Sequence, residues 1–526
     1  MSATVTLRVR RSSGGGDDGT SYSSFAVPFV PNMDVLDGLR FVREHLDPSL
    51  GFRAACGEGK CGLCGVLVDG KPALACKRRL EPDRVTTLDP LPGFPVVRDL
   101  FVDRASYYDE ERELLSRIEK GEVPEGPVDS ARHDEYIAFK DCTECSLCTA
   151  ACPSAPALSH SHAGPPGFLQ AVRSVLFEPA RSTAAGGEEL YRCLLCGQCE
   201  ALCPRGVTVP ALNRKARGAA AAAGWEPTAL TDFLTRLTEQ RAIAAVGGHG
   251  TAGWLRDAPA EVRARVGVRA PVGVFVGCQF GLRPSRYATA IHLAQLLLLA
   301  GVEFTLLGDE EWCCGHPYYL AGDVSRMREF AEHNLAAFRK LGVHEIIAAC
   351  PGCYAAWAAE YPEALGTSTG LKVEHSSVAL LRCVEAKRLS PKETTLGRVV
   401  YHDPCELGRL HGMYESPREL LRRAGVSVVE LERTRDTAQC CGAGGLAAAA
   451  APAVAKQATS RRVEEMLDLE PTAIVTSCPN CETTLETALR RYRRNVRVLD
   501  IVDVLLESVT FIGRGSSKDD CPTGRR

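Results

Sequence analysis

The sequence predicts an α+β protein of several domains, and three observations lead to this fold class. The chain has 526 residues, which is more than a single hydrophobic core usually serves. Its N-terminal part alternates short β-like segments with one helical segment, and its C-terminal half contains two similar series of strands and helices. The 24 cysteines group at short spacings, which indicates metal or redox sites rather than disulfides in a chain without signs of secretion.

Charge and hydropathy exclude several classes of function. The formal net charge is -3 at pH 7, so no strong field favours nucleic acid or an anionic membrane. The N-terminus becomes polar at "SSGGGDDGTS" and does not resemble a signal peptide, and the longest apolar run, "AIHLAQLLLLAGV", is too short to span a bilayer. We therefore expect a cytoplasmic protein with no transmembrane segment, whose contact with any membrane is made through a partner.

Composition and repeats divide the chain into six segments. These are a β-rich domain at 1–105, a helical cysteine-rich domain at 106–218, a helical linker at 219–268, two cysteine-rich α/β repeats at 269–390 and 391–512, and a polar disordered tail at 513–526. Alternating strands and helices imply parallel α/β units, which place their sites at strand ends. Two further cysteines are predicted to lie outside any site: Cys383 has the spacing of a helix core residue, and Cys521 lies in the tail.

The first cysteine cluster has the spacing of a plant-type [2Fe–2S] site. "CGEGKCGLCG" gives C-x4-C-x2-C, and a fourth cysteine follows after eleven intervening residues. Glycines in this loop allow backbone N–H groups to approach the cluster sulfides. Four cysteines could also hold structural zinc, but the loop spacing favours iron–sulfur. The predicted ligands are Cys56, Cys61, Cys64 and Cys76.

Two motifs in the helical segment predict a pair of [4Fe–4S] cubanes. "CTECSLCTAACP" and "CLLCGQCEALCP" both fit C-x2-C-x2-C-x3-C-P, in which each fourth cysteine serves the other cluster. This topology predicts one ligand set of Cys142, Cys145, Cys148 and Cys203, and a second set of Cys193, Cys196, Cys199 and Cys152.

The N-terminal part, about residues 1–215, resembles the iron–sulfur subunits of succinate dehydrogenases and fumarate reductases. The resemblance is carried by "DVLDGLRFVREHLDPSLGFRAACGEGKCGLCG", "GKPALAC" and "FPVVRDLFVD". It implies a β-grasp [2Fe–2S] ferredoxin domain, a helical two-cluster domain and an electron path to a separate FAD-containing flavoprotein subunit. In that family the second motif commonly serves a [3Fe–4S] cluster beside a quinone site. Here it has every [4Fe–4S] ligand, which departs from that pattern.

The two C-terminal repeats share five cysteines at corresponding positions, including an adjacent pair in "CCG". The first cysteine of each repeat precedes its pair by 34 intervening residues. A cubane needs four terminal ligands, so five thiolates suggest a noncubane cluster with an iron open to an external sulfur. Cleaving or forming a disulfide needs two electrons, which two such clusters facing one pocket could supply together. The candidate catalytic cysteines are Cys278, Cys313, Cys314, Cys350 and Cys353 in the first repeat, and Cys405, Cys440, Cys441, Cys478 and Cys481 in the second.

The C-terminal half, about residues 269–510, resembles the catalytic subunit of heterodisulfide reductases, which contains two "CCG" domains. That resemblance implies a noncubane [4Fe–4S] cluster in each repeat and a thiol/disulfide substrate. Relatives often have His after the first cysteine of the second repeat, whereas this chain has Glu406. The two halves together resemble the iron–sulfur subunits of the thiol:fumarate reductase (CoM/CoB) family. This implies that coenzyme M and coenzyme B are oxidised to a heterodisulfide while a flavoprotein reduces fumarate to succinate.

Several alternatives remain open from the sequence. One repeat could hold zinc in place of a cluster, or the vicinal cysteines could form a redox-active disulfide. The chain could instead serve a succinate dehydrogenase that passes electrons to quinone or a membrane partner, with repeats that are structural or serve in docking. It could also be a non-catalytic electron-transfer scaffold with zinc in the repeats. "GAGGLA" formally matches a dinucleotide motif without directly following a strand. His402, Asp403 and Arg409 could contact substrate or only orient the loop around Cys405.

Overall fold

The computed structural model describes eight stretches of the chain. They are residues 3–12, 21–120, 136–137, 140–155, 164–179, 181–243, 251–394 and 396–510. The predicted disordered tail, with Cys521, lies outside these residues. In the described part no helix combines the length and apolarity that crossing a membrane requires.

The N-terminal domain is a five-stranded mixed sheet packed on one helix. Alternate residues of the first strand, Val5, Leu7 and Val9, are buried against this helix, which begins after the capping residue Asp34. The sheet order is β2-β1-β5-β3-β4, with β1 and β5 parallel, and a separate two-stranded sheet joins β6 and β7. The elements are β1 (Thr4–Arg11), β2 (Ser21–Pro28), the α-helix Val35–Phe41, the π-helix Val42–Leu46, β3 (Gly65–Val68), β4 (Lys71–Leu74), the 3-10 turn Ala75–Lys77, β5 (Val85–Asp89), β6 (Val96–Arg98) and β7 (Phe101–Val102).

The next part of the chain is helical. The helix Val209–Ala222 continues past residue 218, where the sequence predicts a linker to begin. Its alanine-rich sequence favours helix, and its buried Ala216 and Ala220 belong to the core around the helix Pro165–Phe177. The helices are Ala105–Ile118, Leu147–Ala151, Pro165–Phe177, Ala184–Leu190, Gln198–Leu202, Val209–Ala222, Thr228–Gln240, the 3-10 turn Gly253–Arg256 and Ala260–Arg263.

Each C-terminal repeat is built on a four-stranded parallel sheet. The orders are β11-β10-β8-β9 and β13-β12-β14-β15, so corresponding strands occupy corresponding places. The edge strand β9 is only two residues long, and the edge strands β11 and β15 were not predicted because they are partly polar. The strands are β8 (Val272–Phe275), β9 (Phe304–Thr305), β10 (Glu345–Ala348), β11 (Lys372–His375), β12 (Arg398–His402), β13 (Ser427–Val429), β14 (Ala473–Thr476) and β15 (Arg497–Asp500).

The helices of the repeats flank these sheets, and one hydrophobic core extends from the first repeat into the second. Within it, the helix Tyr287–Leu299 contacts the helix Ile501–Thr510, and Cys383 is buried as its helical spacing predicts. The shared core therefore fixes one repeat against the other. The α-helices are Cys278–Leu282, Tyr287–Leu299, His316–Ala321, Val324–Lys340, Pro351–Ala355, Tyr361–Leu365, Ser376–Glu385, Glu415–Arg423, Ala447–Ala450, Pro452–Leu467, Pro479–Arg491 and Ile501–Thr510. The short 3-10 and π segments are Pro284–Arg286, Gly308–Glu310, Ala356–Glu360, Arg435–Thr437 and Gly444–Leu446.

Candidate iron–sulfur sites and the cavity between the repeats

The loop that carries the first three N-terminal cysteines is built to hold a charged sulfur. The backbone N–H groups of Glu58, Lys60 and Cys61 donate to Cys56 Sγ over 3.4, 3.3 and 3.4 Å. These donors lower the pKa of the Cys56 thiol to about 6. Cys56 is exposed, so this end of the candidate [2Fe–2S] site lies at the protein surface.

The other side of this site faces the helical domain. Cys64 and Cys76 are buried with their sulfurs 3.4 Å apart, and they share a hydrophobic cluster with Cys145 of the first cubane motif. Arg104 joins the two loops, since its guanidinium donates to the carbonyls of Gly62 and Cys145 over 3.4 and 3.2 Å. The candidate [2Fe–2S] site therefore adjoins the first cubane site.

The eight cysteines of the helical domain separate into two groups around two small cavities. A cavity of about 30 Å³ is lined by Cys142, Cys145, Cys148 and Cys203, and Cys199 lines it as well. A cavity of about 20 Å³ is lined by Cys152, Cys193, Cys196 and Cys199. Cys203 of the second motif thus lies with the first three cysteines of the first motif, and Cys152 of the first lies with the first three of the second. The crossed ligation itself stays a prediction.

The environment of these cysteines suits ligands of an iron–sulfur cluster. Burial raises the pKa of the Cys152 thiol to about 11 and that of the Cys199 thiol well above 9. Such thiols lose their protons when a metal compensates the charge. Backbone N–H groups also point at the sulfurs, with Leu195 donating to Cys193 over 3.4 Å and Val207 donating to Cys203 over 3.3 Å. This donor set fits a buried cubane.

The two repeats face a common cavity of about 420 Å³. Nine of the ten repeat cysteines line it, and the neighbouring Cys478 of the second repeat contributes to lowering the pKa of the Cys350 thiol of the first. The cysteines reach the cavity because the loops that follow the central strands of both sheets point toward each other. The lining cysteines are Cys278, Cys313, Cys314, Cys350, Cys353, Cys405, Cys441, Cys478 and Cys481.

Both vicinal pairs are followed by a glycine in the left-handed region. Gly315 has φ +77° and Gly442 has φ +93°, which residues with a Cβ rarely adopt. This turn lets two adjacent cysteines remain buried at one site. Within the repeats, Cys278 and Cys313 sulfurs lie 3.5 Å apart, and those of Cys441 and Cys481 lie 3.2 Å apart.

Each repeat holds its first cysteine loop through a different buried carboxylate. In the first repeat, Glu311 accepts the N–H groups of Val276 and Gly277, directly before Cys278, over 3.2 and 2.8 Å. In the second, Asp403 forms a bidentate pair with Arg418 over 2.7 and 2.9 Å. The predicted loop-orienting role of Asp403 is supported by these contacts.

His402 of the second repeat is fully buried, and one of its ring nitrogens lies within 4.8 Å of the sulfurs of Cys441 and Cys481. Its Nδ1 is 3.2 Å from Nε of Arg462. Burial, together with the charge of Arg462, lowers the pKa of His402 to about 3. The imidazole is therefore neutral at physiological pH.

At the cavity wall, the two repeats are joined by a histidine, 12% exposed, that lies between two carboxylates. His316 Nδ1 is 2.9 Å from Glu360 of its own repeat, and Nε2 is 2.8 Å from Glu406 of the second repeat. Burial alone would lower the pKa of His316, but these two carboxylates raise it well above 6.5. Glu406, which departs from the family pattern, thus forms an inter-repeat ion pair.

The second repeat lies directly on the second cubane loop. Cys440 and Cys196 belong to one hydrophobic cluster, and a Cβ on Gly444 or Gly445 would lie 2.5 Å from a carbonyl oxygen of Leu194 or Cys193. The glycines of "GAGGLA" are therefore required by close packing of two backbones. This contact accounts for the motif without a dinucleotide.

Two arginines, Arg217 and Arg409, form hydrogen bonds across this contact. Arg217 is fully buried and donates to the carbonyls of Leu190, Cys193, Leu320 and Gly445 over 2.8 to 3.1 Å, so it joins the helical domain to both repeats.

Arg409 donates to the Cys196 carbonyl over 2.7 Å and to the Gln198 side chain over 2.6 Å. Arg409 thus orients loops, which was the more modest of its two predicted roles.

The first repeat contacts the helical domain elsewhere. A Cβ on Gly322 would lie 2.5 Å from the carbonyl oxygen of Arg214 and from the backbone nitrogen of Gly218, both on the helix Val209–Ala222. This contact is on a helix and not on a cysteine loop. The sites therefore follow one another from the exposed [2Fe–2S] loop through both cubane sites to the second repeat and then the first.

Sequence reasoning missed several residues of this region. Arg217, His316 and Glu360 carry no metal-ligand spacing, and their partners lie far away in the sequence. Arg283 also carries no such spacing, although it lines the cavity. Only His316 had a local signal, since it directly follows the first "CCG".

Comparisons with known proteins agree with this division. A model of a 2Fe-2S iron-sulfur cluster binding domain matches residues 6–109, and one of a 4Fe-4S dicluster domain matches residues 138–207. A cysteine-rich domain model matches twice, at residues 272–357 and 399–486. The predicted multidomain iron–sulfur layout is thereby confirmed.

Two curated relatives confirm the predicted resemblance. A polypeptide of the fumarate reductase (CoM/CoB) of Methanothermobacter marburgensis is 28% identical, with 95% of this chain and 98% of that protein covered. A polypeptide of the dihydromethanophenazine:CoB–CoM heterodisulfide reductase of Methanosarcina acetivorans is 27% identical, with 71% of this chain and 95% of that protein covered. The protein is thus part of an oxidoreductase and contains iron–sulfur domains.

One solved structure has a fold similar to that of this chain. The crystal structure of a hypothetical protein from Helicobacter pylori has a TM-score of 0.60 and 11% identity, and it covers 97% of this chain and 96% of its own. At this identity the likeness shows a common fold alone.

Proposed function

We propose that the two repeats oxidise two thiols to a disulfide and that the remaining sites carry the electrons to a flavoprotein that reduces fumarate. The observation that carries this proposal is the single cavity lined by cysteines from both repeats. The relatives' printed names, fumarate reductase (CoM/CoB) and CoB–CoM heterodisulfide reductase, make coenzymes M and B the first thiols to test.

The proposed ligands are the 22 cysteines predicted from spacing, with one noncubane cluster in each repeat. When bound, these clusters would accept one electron each and offer an iron to an external sulfur. The protein would hold both thiols in one cavity so that their sulfurs can form a bond. The overall reaction balances: two thiols release two protons and two electrons as the S–S bond forms, and fumarate takes up the same number to become succinate.

The series of adjoining sites supports a relay through this chain. Cys440 of the second repeat lies beside Cys196 of the second cubane motif, and Cys145 of the first motif lies beside Cys64 of the N-terminal domain. The exposed Cys56 loop would then meet the partner. We propose that an FAD-containing flavoprotein docks there, with the candidate [2Fe–2S] site nearest the flavin.

Besides His316, which is paired with two carboxylates, the cavity wall presents the guanidinium of Arg283. Arg283 lines the cavity near Cys278, and its guanidinium has no hydrogen bond or ion pair with the described residues. Phe233, Leu320 and Leu446 provide apolar surface around the same space. A thiol substrate with an acidic group could pair with Arg283, and an apolar chain on the same substrate could contact the apolar residues of the wall.

The test uses the complex of this chain with its flavoprotein, purified without oxygen. We expect coenzymes M and B to drive fumarate reduction with one disulfide formed for each succinate. Iron and zinc quantification with EPR of the same sample should find iron in both repeats. The proposal would be contradicted if the rate of fumarate reduction did not depend on thiols. It would also be contradicted if the repeats held zinc and the complex reduced quinone with electrons from succinate.

A further inference from the structure

The two repeats differ at one buried position beside their cysteines. His402 ends β12 and pairs with Thr476 of β14, whereas Phe275 ends β8 and pairs with Ala348 of β10. Each residue precedes the first cysteine of its repeat by three positions, and both side chains are fully buried. The two positions are therefore structurally equivalent, but only the second repeat has a polar group there.

One nitrogen of the His402 ring has a partner and the other has none. Nδ1 lies 3.2 Å from Nε of Arg462, which is itself fully buried. Nε2 is buried and makes no hydrogen bond with the described residues. The ring lies next to the sulfurs of Cys441 and Cys481, so a group bound by those cysteines would be its nearest new partner.

Arg462 determines which nitrogen carries the proton. A guanidinium keeps its protons and can only donate, so Nδ1 must accept. The neutral ring then has its proton on Nε2. A histidine that ligates a metal has the opposite arrangement, because it donates its other N–H to a carboxylate, carbonyl or water. His402 is thus prepared to donate to a sulfur and not to bind a metal.

We propose that His402 donates its Nε2–H to a sulfur of the iron–sulfur site in the second repeat and makes this site easier to reduce than it would be with phenylalanine at this position. The inference rests on the proposed function, since it requires a cluster in that repeat. A hydrogen bond to a cluster sulfur stabilises the additional negative charge of the reduced state. Phe275 offers no such donor, and its ring packs against Trp357 at 5.5 Å between centroids.

This difference would give the electrons a direction. The second repeat lies beside Cys196, whereas the first meets the helical domain through Gly322. A more easily reduced second site would draw an electron out of the first repeat toward the cubanes. His402 is therefore a positioning residue that acts through the second site.

The test compares His402→Phe, which copies the first repeat, with His402→Gln, which keeps an N–H donor. The readout is an EPR-monitored redox titration of the signal that Cys441→Ala removes, in the purified complex. We expect His402→Phe to shift the one-electron equilibrium of this signal about tenfold toward the oxidised form, or about 59 mV lower. His402→Gln should stay close to the unaltered protein, and both variants should keep their iron.

A folded His402→Phe variant with full iron content and an unchanged potential would overturn the inference. Loss of iron from the second repeat in His402→Phe, with recovery in His402→Gln, would overturn it as well, because it would make residue 402 a ligand. Zinc in the second repeat of the unaltered protein would contradict the proposed function itself. Metal analysis thus separates the two failures.

Discussion

The first and second repeats have the same five cysteines and equivalent sheets, but they contact the rest of the chain differently. The second repeat meets the cysteine loop of the second cubane motif through Gly444 and Gly445, whereas the first meets a helix through Gly322. A buried histidine stands beside the cysteines of the second repeat, where the first has phenylalanine. Repetition of the five cysteines therefore does not make the repeats equivalent, and the second is the one that lies against a cysteine loop of the helical domain.

The strongest test of this comparison removes one vicinal cysteine from either repeat. Cys314→Ala and Cys441→Ala should each lower thiol-dependent fumarate reduction roughly a hundredfold or more, because disulfide formation needs both sites. Fumarate reduction with an artificial dye donor should survive, since the dye can feed the upstream sites or the flavin. Near-normal thiol-dependent turnover in either variant would make its repeat structural.

Cys383→Ala is the matched control for these variants. Cys383 is also buried in the first repeat, but it is not among the residues that line the cavity. The variant should keep thiol-dependent turnover.

The next largest effects should come from the glycines at the two contacts. A Cβ at Gly445 would lie 2.5 Å from the Cys193 carbonyl, and one at Gly322 would lie equally close to Arg214. Because both glycines also have positive φ, alanine at either should lower the free energy of unfolding by several kcal/mol. Only Gly445→Ala should also slow the reduction of the proposed cubanes by thiols, as followed by EPR.

Gly366→Ala provides the control for strain without a clash. Gly366 has φ +70°, and a Cβ there would meet nothing within 4 Å. The expected cost is about 1 kcal/mol, with cubane reduction unaffected. Equal slowing of cubane reduction by Gly322→Ala and Gly445→Ala would remove the proposed distinction between the repeats.

Substrate binding should depend on the first repeat through Arg283. Arg283→Gln removes the cationic group that lines the cavity and should raise KM for an acidic thiol about tenfold, with little change in kcat. Arg263→Gln, at an exposed arginine of the linker, serves as the control. An unchanged KM would show that substrate charge is recognised elsewhere.

The smallest effect is expected at the contact of the second repeat with the N-terminal domain. Lys71 and Asp436 form an ion pair of 3.3 Å in which both side chains are about half exposed. Water and salt screen such a pair, so Lys71→Ala should change the unfolding free energy by less than about 0.5 kcal/mol. A larger loss in a urea titration would indicate that this exposed contact helps to hold the second repeat in place.

The candidate cysteines could be predicted from the sequence because their loops are local. C-x4-C-x2-C and C-x2-C-x2-C-x3-C-P depend on a few neighbouring residues, and the duplicated "CCG" spacing predicted the two repeats. The pairs His316–Glu406 and Arg217–Gly445 join residues 90 and 228 positions apart, so no local pattern predicts them. The strands β11 and β15 were not predicted because they lie at sheet edges and their sequences are partly polar.

The glycine turn over the second cubane loop has a consequence for maturation. Cys193, Cys196 and Cys199 are 6%, 8% and 8% exposed in the folded protein, in which Gly444 and Gly445 lie against this loop. A cluster donor needs access to these thiols, so we expect the cubane to be inserted before the second repeat closes over it. Synthesis from the N-terminus suits this order, because the helical domain leaves the ribosome long before residue 444 is made. Insertion timing, and not ligand number alone, would then decide how much of the protein matures.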